Sequence, residues 1–242
     1  MNALQNVCYG IMTLLFISCS TGYKIERDIV YYEHWNEGSG QYKDEINADS
    51  KTFKILRYGA YAKDAKSVFY EGKKIVGADA NTFEALGEFY AKDKNSGWYG
   101  NDVVESSNGK TFKIINLYYS TDGFDIFFVT KPLKMAKPNK FKFVYGEGDS
   151  DSWTTDGEYY YYNSYRVPSS DYENLKIYPG SGGLSKDKQW VYFLNHKLNY
   201  DEDGNKVVDT IDVASFEATG FIECRDKYGC FNVYHGREKC KN

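Results

Sequence analysis

Tyr61–Ile75 reads YAKDAKSVFYEGKKI, and Tyr90–Gly100 reads YAKDKNSGWYG. The phrase Tyr-Ala-Lys-Asp returns after 29 residues. An Asp followed by an aromatic run then recurs along the chain. Asp64 leads into SVFY, Asp93 into SGWY, Asp122 into GFDIFFV, Asp156 into GEYYYY and Asp187 into KQWVYF. Asp28 leads into IVYY, and Asp226 into KYGCFNVY. These are seven copies, the last cut short. A second phrase, a polar turn followed by Thr-Phe, accompanies them. It reads ADSKTFKIL from Ala48, ADANTFEAL from Ala78 and SNGKTFKII from Ser107, with a looser IDVASFEAT from Ile211. Asp64 to Phe83, Asp93 to Phe112 and Asp122 to Phe141 are each 19 residues apart. A spacing held over three copies marks a structural repeat.

Each phrase has a physical reading. The Asp side chain accepts a backbone N–H two residues on and closes a turn. The aromatic and β-branched residues that follow suit a pleated strand. Glu71-Gly72 and His235-Gly236 offer glycine where a hairpin turn needs positive φ. Asp79 and Asn108 precede Thr82 and Thr111 by three, the spacing of a side chain capping a helical turn. Phe83 and Leu86 would then face one core from that turn. The unit is a β-meander of about 30 residues, too small to bury a core by itself, so neighbours must pack together. The expected fold is mainly β: tandem β-meander repeats in one body, curved or propeller-like, with short capped helical turns. Phe53, Phe83, Phe112 and Phe216 should be equivalent buried positions. Later copies are longer, and their polar insertions, YGEGDSDSW from Tyr145 and NYDEDGNK from Asn199, belong on the surface. No linker rich in Pro or Ser divides residues 19–242, which form one repeat domain.

Composition agrees. An aromatic share of 18% argues against disorder, and 22 Gly against 4 Pro fits sheets joined by turns. A net charge of −4 gives no reason to expect nucleic acid as a partner. The start of the chain differs. Ile11–Cys19 reads IMTLLFISC and then turns polar. The run is too short to span a bilayer and has the length of a secretory core. It resembles a bacterial lipoprotein signal over residues 1–18, with Cys19 as the lipidated residue of the mature chain. Lipid chains would tether the protein to a membrane surface without a spanning helix. Ser20–Glu26 carries no acidic cluster, which points to a periplasm-facing place in the cell envelope.

An exported compartment permits a disulfide among Cys224, Cys230 and Cys240. Cys224 aligns with Ala62 and Cys230 with Val68, which flank the Asp turn on neighbouring strands. Cys224–Cys230 is therefore the expected pair, with Cys240 the competing partner for either. No Cys-x-x-Cys pair suggests zinc.

YAKDKNSGWYG, YAKDAKSVFYEGKKIVGADANTF and SKDKQWVYF resemble the bacterial DKNYVYY repeat family. The likeness covers about residues 23–240 and is strongest over 60–117. It implies a secreted or lipid-anchored repeat protein, and it supplies no catalytic residue.

Motifs of chemistry are sparse. His34, His196 and His235 fall in different copies without a shared spacing. Gly180–Gly183 reads GSGG, which is neither a nucleophile elbow nor a phosphate loop. Asp201, Asp203 and Asn205 imitate the start of a calcium loop, but Asp212 stands where the bidentate Glu is required. The acidic stretch Gly146–Ser152 reads as a solvated loop. No cofactor and no metal is expected. Tyr159, Tyr160, Tyr161, Tyr162 and Tyr165 form the candidate aromatic binding surface, because alternation along a strand could leave one set exposed; internal packing of both sets is the alternative reading. The expected function is non-enzymatic: a protein-binding module with an unknown protein partner, of which an inhibitor or immunity protein is one version. A glycan-binding lipoprotein and a hydrolase are the alternatives.

Overall fold

The computed structural model describes residues 21–199, 210–238 and 240. Among them, seven small antiparallel sheets follow one another along the chain, and none closes into a barrel. Sheet 1 has three strands, Gly22–Glu26, Ile29–Asn36 and Gly40–Ile46. Sheet 2 has four, Lys54–Ile55, Tyr61–Lys63, Val68–Tyr70 and Lys73–Ile75, paired in chain order. Sheets 3 to 7 repeat that meander. Sheet 3 runs from Glu84–Ala85 to Asp102–Val103, and sheet 4 from Lys113–Ile114 to Lys131–Pro132. Sheet 5 runs from Lys142–Tyr145 to Tyr165–Arg166, and sheet 6 from Lys176–Ile177 to His196–Lys197. Sheet 7 runs from Glu217–Gly220 to Gly236–Glu238.

The Asp phrases open the turn between the second and third strands of sheets 2 to 7, as the sequence predicts. The Glu71-Gly72 hairpin also forms, with φ of 45° and 80°. These are the two left-handed residues of a tight hairpin. A Cβ on Gly72 would lie 2.7 Å from Tyr32 Cβ of the preceding sheet, so glycine is required twice over. Asp28 departs from the pattern. It sits with Arg27 in a two-residue turn, φ 51° and 63°, exposed at the tip of sheet 1.

Alternation along the strands decides the packing. In sheet 2, Ala62 and Phe69 share a core with Tyr23, Val30, Tyr32 and Ile46 of sheet 1. Tyr61, Val68, Tyr70 and Ile75 point the other way and share a core with Phe83, Ala91 and Trp98 of sheet 3. Four further cores join sheets 3 and 4, 4 and 5, 5 and 6, and 6 and 7. No core among the described residues includes both sheet 1 and sheet 7. Each inner sheet is thus buried on both faces between its neighbours, in an open series. That is the quasi-one-dimensional logic of a repeat protein.

The Thr-Phe phenylalanines sit at these junctions. Phe53, Phe83, Phe112 and Phe216 are all buried. Phe83 lies between Tyr61 of the preceding sheet and Trp98 of its own, with ring centroids 5.4 and 6.4 Å away. Phe112 lies likewise between Tyr90 and Phe127, both at 6.2 Å. The polar residues before Thr-Phe form one turn, closed by the Thr82 N–H donating to Asp79 Oδ1 at 3.0 Å. Phe83 then heads the first strand instead of continuing a helix. Leu86 therefore joins the core between sheets 3 and 4, while Phe83 serves the core between sheets 2 and 3. The expectation that both face one core fails because three residues along an extended chain reach the opposite face.

Candidate interaction surface

The repeated phrase Tyr-Ala-Lys-Asp is spent on joining copies. Asp64 Oδ1 accepts the backbone N–H of Lys66 and Ser67 at 2.7 and 2.6 Å. Its Oδ2 accepts the N–H of Asp49, in the turn before sheet 2, at 2.9 Å. Asp93 repeats this with Asn95, Ser96 and Asp79, and Asp122 with Phe124, Asp125 and Asn108. Asp156 holds Glu158, Tyr159 and Ala136, and Asp226 holds Tyr228 and Asp212. Each carboxylate closes its own turn and clamps the preceding linker. Thr82 answers from the linker, its Oγ1 accepting the Lys94 N–H at 3.0 Å.

The other letters reach forward. Tyr61 Oη donates to Phe89 O of sheet 3 at 2.5 Å. Lys63 Nζ donates to Ala80 O and Phe83 O at 2.8 and 3.1 Å. Ala62 lies flat in the core, and the same position is held by Ala91, Ser120, Thr154, Ser185 and Cys224, all buried. Burial opposes charge on Asp64 and Asp156, yet the N–H groups aimed at them outweigh it and hold both carboxyls below the usual range.

That packing corrects the aromatic surface. Asp156 accepts the Tyr159 N–H, so Tyr159 belongs to the turn and the strand is Tyr160–Tyr162. Tyr161 joins the core with sheet 4, and Tyr162 the core with sheet 6. A strand buried on both faces leaves no exposed set, so the five tyrosines do not form one platform. Tyr165 is exposed, and Tyr159 and Tyr160 are half-buried. Tyr159 lies under Arg166, 4.0 Å from its ring centroid, and against Tyr172.

The cysteine expectation is corrected too. The disulfide joins Cys230 to Cys240, and Cys224 is a buried free thiol. Cys224 stands opposite Phe231, while Cys230 stands opposite Arg225. One step of offset puts Cys224 and Cys230 on opposite faces of sheet 7. Cys224 packs toward sheet 6, whereas Cys230 lies on the outer face, two residues in register from Cys240 through its partner Glu238. Burial pushes the Cys224 thiol up to about 12.

The end sheets differ from the rest on one face. The outer face of sheet 1 carries Lys24 paired with Glu33 and Lys43 paired with Glu26. On sheet 7, Glu223, Arg225, Cys230 and Asn232 replace the Tyr61, Lys63, Val68 and Tyr70 of sheet 2. Arg225 pairs with Glu217 at 2.7 Å. Both terminal sheets thus present polar outer faces, which terminal repeats need.

Large apolar side chains remain exposed along the first-strand edge. Ile55 and Tyr58 stand there in copy 2, Ile114, Ile115 and Leu117 in copy 4, and Val144 and Tyr145 in copy 5. Between copies 3 and 4 this edge forms a groove of about 250 Å³ lined by Gly87, Phe89, Tyr90, Ile114 and Leu117. Gly87 contributes the depth: a Cβ there would lie 3.3 Å from Ile114 Cδ1.

His34 lies 3.1 Å from Asp44 and stacks on Tyr42, His196 packs edge-on to Phe193, and His235 is exposed at a turn. No group of three or more His, Cys, Asp or Glu able to hold a metal occurs among the described residues. Cys19, the signal segment and Asp201–Asn205 lie outside the described residues. No helix among the described residues is long and apolar enough to cross a membrane.

The DKNYY family model matches residues 6–102 and again 99–235. The chain belongs to the DKNYY family. The two matches together take in all seven aspartate phrases, from Asp28 to Asp226, so the family pattern is the repeat itself. No curated protein and no solved structure matches the chain. Tyr61, Lys63, Asp64 and their equivalents, the residues that hold the copies together, lie within the stretches that match the DKNYY family.

Proposed function

We propose that this DKNYY protein is an exported, lipid-anchored and non-enzymatic binding module whose ligand is another protein. One observation carries the reading: exposed Ile, Leu, Val and Tyr side chains recur on the same edge in copies 2, 4 and 5. Single exposed apolar residues are ordinary, but a row on a rigid repeat body with a groove at Ile114 and Leu117 has the character of a protein-binding face. The anchor rests on the sequence alone, on the apolar run that stops at Cys19. With the stack held at a membrane surface, a periplasm-facing partner comes within reach. Inhibition of a secreted toxin is one form this binding would take.

The test is capture of partners by the mature domain, with Ile114→Glu and Leu117→Glu side by side. A partner retained by the wild type and lost in both folded variants supports the reading. Capture unchanged by both variants overturns the assignment of this edge. For the anchor, Cys19→Ser should release the protein from membranes, and unchanged membrane association counts against lipid attachment.

A further inference from the structure

Two clefts occur at the same repeat positions, one between copies 2 and 3, the other between copies 6 and 7. The first, of about 470 Å³, is lined by Lys51, Lys54, Lys63, Asp64 and Ala80. The second, of about 430 Å³, is lined by Lys176, Lys186, Lys188, Asp187 and Val213. In both, the first two strands place lysines directly opposite each other: Lys54 faces Lys63, and Lys176 faces Lys186. Like charges so placed oppose pairing of the strands.

The repeat has a neutral solution for this position and uses it elsewhere. In copy 3 Glu84 faces Lys92, and the two form an ion pair at 3.8 Å. In copy 7 Glu217 faces Arg225, paired at 2.7 Å. Copies 2 and 6 keep two lysines instead, and each adds a third at the rim, Lys51 or Lys188. The inner lysines are fixed. Lys186 Nζ donates to Val213 O and Phe216 O at 2.8 and 3.1 Å, as Lys63 does to the equivalent carbonyls. Their ammonium groups therefore form a set positive floor, while Lys54 and Lys176 are exposed at the mouth. One aspartate lines each cleft, with its oxygens engaged in turn and linker bonds. Asp187 accepts from Gln189, Trp190, Ser169 and Tyr192. Three lysines against one aspartate leave each cleft with excess positive charge. Burial, and then the facing lysine, lowers the pKa of Lys63 against Asp79 and of Lys186 against Glu217 and Asp212, so the present carboxylates do not fully offset either cation.

We propose that each cleft binds an oxyanion group with two or more negative charges, supplied by a phosphate group or by closely spaced carboxylates. The walls are rigid, because the inner lysine is part of the joint between copies. The two sites are equivalent by repetition, so a ligand with anionic groups at intervals could engage both.

Calorimetric titration of the full chain at low ionic strength tests this, with inorganic phosphate and propane-1,2,3-tricarboxylate as probes. The expected result is saturable binding of at least one probe at two sites. Phosphate alone binding assigns the phosphate chemistry, tricarboxylate alone assigns carboxylates, and both binding assigns recognition by charge. Lys54→Glu should leave one site, and Lys54→Glu with Lys176→Glu none. Both variants write in a pairing that sheets 3 and 7 already use, so the fold should be kept. Glu84→Lys should add a third site and provides the independent arm if a charge reversal fails to fold. Failure of both probes to saturate the wild type, or a stoichiometry indifferent to these substitutions, overturns the proposal.

Discussion

Asp93 holds Asp79, 14 residues before it in the chain: the Asp93 Oδ2 accepts the Asp79 backbone N–H at 2.9 Å. The same carboxylate also accepts the Trp98 Nε1–H at 3.1 Å and two N–H groups of its own turn. Asp93→Ala should cost about 1–3 kcal/mol for each buried N–H left without a partner. Asp93→Asn keeps one acceptor oxygen and sets an amide NH2 against the N–H groups on the other side, so it should lose about half of the bonds and cost less than alanine. Chemical denaturation of both variants reads this directly. An alanine variant as stable as the wild type would show that the clamp does not hold the linker.

The repeated carboxylates also set an acid limit. Burial works against charge on Asp64, Asp156, Asp187 and Asp226, but their hydrogen bonds prevail and the net displacement is downward in each. A carboxyl lowered in the folded state binds its proton more readily when unfolded. Its contribution is therefore complete above the unfolded value, about 3.9, and is lost as pH falls through the lower folded values. Stability followed by thermal melting should be flat with respect to these groups above about pH 5 and drop below about pH 4. Stability that rises on acidification through that window would contradict the assignment.

Phe83 is 3% exposed and touches rings of two sheets. Its truncation to Ala should cost about 3–5 kcal/mol. Exchange of backbone hydrogens should accelerate most in sheets 2 and 3, since the core it serves joins only those two. Uniform acceleration through sheets 5 to 7 would mean that the cores are coupled over a longer range.

Peptide mapping without reduction should recover Cys230 linked to Cys240. Cys224, its thiol pushed up to about 12 by burial, should resist alkylation at neutral pH and react once the protein is unfolded in denaturant. Rapid labelling of Cys224 in the folded protein would place it outside the core.

The polar end face of sheet 7 predicts a gain of function by substitution. Glu223→Tyr with Asn232→Tyr restores two aromatic residues of an inner copy. The double variant should self-associate with rising concentration, measured by sedimentation velocity, because it exposes an apolar face that seeks a neighbour. A variant that stays monomeric would show that the remaining charges and the disulfide suffice to close the end.

Much of this was legible in the sequence because the repeat writes its joints into its consensus. Tyr61, Asp64 and Phe83 recur at constant spacing since each must meet the neighbouring copy at a constant place. The origin of the spacing was not legible, because the second oxygen of Asp64 meets Asp49 across a gap that no local pattern reveals. The tyrosines at 159–162 stayed open between an exposed platform and internal packing for a related reason. Alternation predicts one wet face for a lone sheet, whereas a sheet between two others has none. The cysteines turned on one residue of register, which the alignment of Cys224 with Ala62 already contained. The small position of the repeat faces inward, and its neighbour across the hairpin is Phe231 rather than Cys230. The paired lysines were visible as letters, but only strand pairing brings Lys54 opposite Lys63.

The one-neighbour rule of the six cores makes length an adjustable property of the gene. Duplicating one repeat, from Asp79 to Ser107, would add a sheet whose two faces meet equivalents of their present neighbours, with the ends untouched. Copy number then sets the length of the series in steps of one sheet. Divergence of a single copy, such as the exchange of Glu84 for the Lys of its sisters, changes the charge at one step without disturbing the others.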